Sequence, residues 1–156
     1  MIVVLGGRSA SGNALNSGLV YTSTTSQLMP FPSLMLSQRA SSPVVVLKGK
    51  TLYVFGGVAF ETSVLDTVEM IDSMSPISST WSLRRTRMSG PRGSCGGALL
   101  PDGINILIVG GTQGGLSVHN TSEIFNTETG VFRSGPVSYP GHVLGMLLSS
   151  TREGLW

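Results

Sequence analysis

The sequence predicts an all-β chain assembled from repeated four-stranded antiparallel units, and three observations carry that expectation. An apolar run ending in a glycine pair occurs three times, as MIVVLGG at 1–7, TLYVFGG at 51–57 and NILIVGG at 105–111. Tyr21, Ile71 and Phe125 follow the second glycine of each pair at the same distance, each inside a short strand-like segment. The composition, with 21 glycines, 40% hydrophobic and 12% charged residues in 156, suits a chain that builds a core and turns often.

Each element follows from this frame. The runs before the glycine pairs are too short for a stable helix and are rich in Val, Ile, Leu and aromatic residues. They read as second strands, the segments around Tyr21, Ile71 and Phe125 as third strands, and those around Leu28, Trp81 and Phe132 as fourth strands. First strands are expected in SSPVVVLKGK at 41–50 and SCGGALLPDG at 94–103, preceded by Arg39 and Arg92. A further first-strand segment, GHVLGMLLSS at 141–150, follows Pro140. The units therefore run over 1–38, which lacks a first strand, 39–91, 92–139, and 140–156 as the start of a fourth. Glycine at Gly6, Gly7, Gly56, Gly57, Gly110 and Gly111 suits a strand that ends in a sharp turn needing positive φ, close beside a neighbouring sheet.

This pattern resembles the kelch repeat: an Arg before the first strand, a second strand ending in Gly-Gly, then a Glu and an aromatic, then a Trp. The second unit supplies Arg39, Gly56, Gly57, Glu69 and Trp81, and the third Arg92, Gly110, Gly111, Glu123, Phe125 and Phe132. Leu19 and Leu28 replace the Glu and Trp in the first unit, Ile71 replaces the aromatic in the second, and Pro140 stands where the next Arg belongs. The resemblance implies a partial β-propeller of about three four-stranded blades, each with its first strand lining a central channel. Closed propellers use four to eight blades, so the chain is expected to be a fragment that needs further blades or self-association to close a ring. One such closure would pair 143–149 with the open edge at 1–5.

A formal charge of +2 gives no general surface for nucleic acid or membrane. No apolar stretch reaches the roughly 20 residues of a membrane span, and the start carries no signal-peptide pattern, so a cytoplasmic location is expected. The sole cysteine, Cys95, has no disulfide partner and lacks the companions of a structural zinc site. Kelch propellers act as interaction modules and as enzyme scaffolds. The expected function is protein or peptide binding on the loop face, with acidic segments as ligands. The ligand-binding candidates are Arg39 and Arg92 at the channel mouth, joined by Arg84, Arg85, Arg87 and Arg8, beside post-glycine loops at 8–16, 58–66 and 112–120. Trp81 and Phe132 read as packing residues between blades. The alternative is a fragment of a propeller enzyme, a galactose oxidase-like oxidoreductase or a sugar-processing enzyme. Cys95, Tyr21, Tyr53, Tyr139, His119 and His142 supply the residue types of a copper site but match no motif, so no catalytic residue, metal or cofactor is assigned. Asn120-Thr121-Ser122 matches a glycosylation acceptor by pattern alone.

Overall fold

The computed structural model describes residues 2–42, 44–47, 51–60, 63–72, 79–114 and 117–136, with 44–47 described as backbone. Among the described residues the chain is all-β, with four antiparallel sheets. The first sheet has the order β1 (Ile2–Leu5), β2 (Gly18–Thr22), β3 (Gln27–Pro30). The second runs β4 (Val44–Leu47), β5 (Thr51–Phe55), β6 (Val68–Asp72), β7 (Ser82–Leu83). A third four-stranded sheet places β8 (Gly96–Leu99), β9 (Asn105–Val109), β12 (Ser122–Asn126) and β13 (Phe132–Ser134) side by side. The small ribbon β10 (Thr112–Gly114) with β11 (Ser117–Val118) interrupts it in sequence. The expected first-strand segment at 141–150, with Tyr139, Pro140 and His142, lies outside the described residues.

The three larger sheets repeat one register. Ile2 faces Tyr21, Leu52 faces Ile71 and Ile106 faces Phe125. The next strand over sets Leu28 opposite Tyr21 and Phe132 opposite Phe125, and the pairing of Met70 with Ser82 carries Trp81 to the corresponding place beside Ile71. The spacing legible in the sequence is therefore a ladder register: anchors that face each other across strands share one side of the pleat.

Alternation within the strands builds the packing between sheets. In β5, Leu52 and Val54 turn towards the first sheet, where they meet Phe31, Met35, Val3, Leu5 and Val20, together with Ile71 and Trp81. Tyr53 and Phe55 turn the other way, onto Ile106, Ile108, Phe125, Met88 and Cys95 of the third unit. Strand β5 is thus covered on both faces, and from Leu52 to Phe55 it carries only apolar and aromatic residues, as a period of two requires when both sides are covered. Aromatic rings tie this second junction together, with Phe55 and Phe125 edge to face at 5.5 Å and Phe132 at 4.9 Å from Phe125. The face of the first sheet that corresponds to Leu52 and Val54 has no such neighbour among the described residues: Ile2, Val4, Leu19 and Leu28 are 60%, 53%, 40% and 59% exposed.

Candidate functional site

The two arginines expected at a ligand-binding mouth lie inside the protein. Arg39 and Arg92 are 1% and 0% exposed. The Arg39 Nη1 donates to the carbonyls of Gly56 at 2.6 Å and Thr67 at 3.2 Å, Nη2 to Thr67 Oγ1 and to Glu69 Oε1 at 2.8 Å, and Nε again to Glu69. Arg92 repeats the set with Gly110 O, Thr121 O, Thr121 Oγ1 and Glu123 Oε1. The carboxylates complete their shells locally: Glu69 accepts from the backbone N–H groups of Leu36 and Ser37, Glu123 from Ser89 N and Ser89 Oγ. A buried ion pair survives only with every remaining polar atom satisfied, and here the forks are filled by main chain and threonine. Their geometry matches caps on loop carbonyls, and both guanidinium groups are shut away from solvent by the partners that hold them.

Each arginine also joins two units. The Arg39 backbone N–H donates to Leu15 O and its carbonyl accepts from Gly7 N, both in the first unit, while its side chain serves the second sheet. Arg92 does the same between Leu65 and Gly57 of the second unit and the third sheet. The glycine pairs make this approach possible. Gly56 sits at φ 53°, and a Cβ there would lie 2.2 Å from the carbonyl oxygen of Arg92.

The described parts of the post-glycine segments pair as short ribbons. Bridges join Arg8 to Ala14 and Val58 to Val64, and the third segment forms β10 and β11. All three are closed by an equivalent bond, Leu15 N to Gly7 O, Leu65 N to Gly57 O and His119 N to Gly111 O. The sequence conceals this because the ribbons are too polar and too short for a strand pattern. Arg8 donates to Gly12 O at 2.7 Å and so ties its own ribbon.

The other basic residues separate into two places. Arg87 pairs with Asp66 at 2.7 Å on the surface, at one side of a groove of about 450 Å³ lined with Ser89, Glu123, Phe132 and Arg133. Arg84 and Arg85 line a different groove of about 440 Å³, between β7 and the β12–β13 turn. The charge that the sequence gathers into one turn thus splits around the edge of the second sheet.

Trp81 is buried against Phe31, with ring centroids 6.2 Å apart, and its indole N–H has no partner among the described residues. Phe132 packs against Phe55 and Phe125. Leu28, in the corresponding place, is exposed. Cys95 is buried, and desolvation pushes its thiol up to about 11, so it stays protonated at neutral pH. Tyr53 belongs to the same apolar cluster, and burial raises its phenol too. His119 Nε2 lies 2.9 Å from Pro91 O, and partial desolvation lowers its pKa. Among the described residues no three His, Cys, Asp or Glu side chains are placed to hold a metal ion, and no helix is long and apolar enough to cross a membrane.

Sequence reasoning noted Glu69 and Glu123 without seeing that they neutralise Arg39 and Arg92. Their separations, 30 and 31 residues, were the available signal. Thr67 and Thr121, two residues before each Glu, carried none, since a threonine at a strand entrance is ordinary.

Fold and site together define an all-β repeat protein whose sheets are joined by buried arginine–glutamate staples. No protein-family model matches the chain, and no curated protein matches it.

Proposed function

We propose that the chain is part of a kelch-type β-propeller and works as a binding module for a protein or peptide partner, offered on the face formed by the ribbons at 8–16, 58–66 and 112–120. The observation that carries this reading is the division between framework and ribbons. Arg39, Arg92, Glu69 and Glu123 all turn inward and hold sheets together. The three ribbons start from equivalent backbone bonds and carry unrelated side chains. A rigid frame displaying variable segments suits recognition. The exposed Arg8 and Arg85 and the half-buried Arg84 favour acidic ligands, and a reducing cytoplasm suits the buried thiol of Cys95. The exposed apolar face of the first sheet is where a further blade, from more chain or from a second copy, would pack in such a ring. An enzyme reading gains nothing from Cys95 and Tyr53, which are core residues.

The test is a peptide-display selection against the chain, followed by substitution of each ribbon in turn. Binding should fall with changes at 8–16, 58–66 or 112–120 while the urea melt stays unchanged. Selected peptides indifferent to all three ribbons would refute the reading. Light scattering adds a check on the architecture, with species larger than a monomer expected at high concentration.

A further inference from the structure

We propose that the groove between β7 and the β12–β13 turn is a docking site for acidic peptide segments. The inference rests on the preceding reading only in taking the partner to be a peptide, and it places the acidic contact at the outer edge of the second sheet instead of on the ribbons. Arg84, Arg85, Ser82, Leu83, Thr86, Thr129 and Gly130 line this groove, with no carboxylate among them. Of the described arginines, Arg39, Arg87 and Arg92 are in ion pairs. Arg84 has no carboxylate partner among the described residues. Its Nη1 rests 3.6 Å from the sulfur of Met70, and its Nη2 lies where a Cβ on Gly130 would come within 2.2 Å. The guanidinium is therefore half-buried and held in place by a thioether and a glycine, neither of which neutralises it. Arg85 is exposed beside it. A positioned fork next to an exposed cation is an arrangement that a ligand carboxylate completes through charge-assisted bonds.

The hydroxyls decide the class of ligand. Ser82 Oγ donates to Met70 O, Thr86 Oγ1 to Gly130 O, and Thr129 Oγ1 to Asn126 Oδ1. A hydroxyl has a single hydrogen, so these three oxygens are left to the groove as acceptors. The groove consequently presents cations and hydrogen-bond acceptors together. Phosphate or sulfate matches the first and meets the second poorly, because it brings almost no donors. A peptide carrying Asp or Glu matches both: its carboxylates face Arg84 and Arg85 while its backbone N–H groups donate to the hydroxyl oxygens.

The experiment uses the whole 156-residue chain and a fluorescent hexapeptide of alternating Glu and Gly, with its Gln counterpart as control, read by anisotropy at low and high salt. The Glu peptide should bind, the Gln peptide should not, and salt should weaken binding. Arg84→Gln with Arg85→Gln should reduce affinity about tenfold or more, and Arg84→Lys, which keeps charge but loses the fork, by less. Arg85→Glu alters only an exposed side chain, so it remains informative even if changes at Arg84 disturb folding; it should abolish binding with an unchanged melt. Inorganic phosphate should compete weakly. Equal competition by phosphate at matched charge would overturn the peptide assignment. Binding that survives Arg85→Glu but falls with Arg8→Gln would overturn the groove and leave the ribbon reading standing. Binding that falls with Arg85→Glu and ignores every ribbon change would support the groove and remove acidic ligands from the ribbon face. Absence of binding by the unaltered chain would overturn the proposal.

Discussion

The first and second sheets share a strand register and a glycine pair, yet one side of them differs completely. In the second sheet the side that carries Leu52, Val54, Glu69 and Ile71 is sealed by its neighbour, with Glu69 0% exposed. On the first sheet the corresponding side carries Ile2, Val4, Leu19 and Tyr21 and is open among the described residues. The carboxylate has become a leucine, and among the described residues no arginine staple reaches it. Backbone geometry is thus set by turn chemistry and strand spacing, which both sheets keep. The costly polar pair occurs only where a packed neighbour supplies its counterpart, since half of such a pair would be an uncompensated buried charge.

Breaking a staple should produce the largest effect. Arg92→Ala leaves the buried Glu123 carboxylate without its cation and takes a donor from the Gly110 and Thr121 carbonyls, and should cost about 3–5 kcal/mol in urea melts. Arg39→Ala should behave alike, whereas Leu19→Ala on the open side should lie within about 0.5 kcal/mol of the parent. Similar losses at Arg92 and Leu19 would show that the staples contribute no more than surface residues.

Trp81 and Leu28 sharpen the same contrast at one register position. Trp81→Ala should cost about 3–5 kcal/mol through lost contacts and a cavity, while Leu28→Ala, 59% exposed, should be close to neutral. Trp81→Phe retains a ring and removes the unpaired indole donor, so it should be milder than Trp81→Ala. A large loss at Leu28 would mean that the face open among the described residues is covered in solution, by a second copy or by more of the chain.

The glycine pairs give a smaller step. Gly56→Ala brings a Cβ against the Arg92 carbonyl at positive φ and should cost upwards of about 2 kcal/mol. Gly7→Ala meets nothing within 4 Å and should cost about 1 kcal/mol from backbone strain alone. Gly6, the counterpart of Gly56, would set its Cβ 2.1 Å from the Arg39 carbonyl oxygen, so reversal of that order in thermal melts would show that the first glycine of a pair is not the one that holds the close approach.

The smallest effect concerns acid. His119 has its pKa lowered from 6.5, mainly by desolvation. Above that value both folded and unfolded chains hold it neutral. As pH falls below it, the unfolded chain takes up the proton first, so stability declines until the folded histidine is protonated too. Melting midpoints at pH 7.5 and 5.5 should therefore differ slightly more for the parent than for His119→Gln.

Much of the architecture was legible because a repeat advertises itself. Three Gly-Gly endings fixed the second strands, and the constant distance to Tyr21, Ile71 and Phe125 was already a register. The site was less legible. Arg39 and Arg92 stand before strands, where exposed and buried arginines look the same in sequence, and burial was decided by Thr67, Glu69, Thr121 and Glu123 arriving from distant positions. Arg84, Arg85 and Arg87 form one cluster along the chain, but Met70, Gly130 and Asp66 draw them into separate surroundings. The ribbons were hidden for a different reason: they are held by backbone bonds, and these leave no trace in side-chain pattern.

The staples also govern how this protein can be taken apart or grafted. Arg39 gives its main chain to one sheet and its guanidinium to the next, so the joint is a dovetail and not a butt seam. A designer lifting out the second sheet with Arg39 would strip Gly7 and Leu15 of their hydrogen-bond partner; one who left Arg39 behind would strand Glu69. The smallest transplantable cassette therefore overlaps its neighbour by one residue's worth of bonding, and a host must offer a glycine-pair edge of its own to receive it.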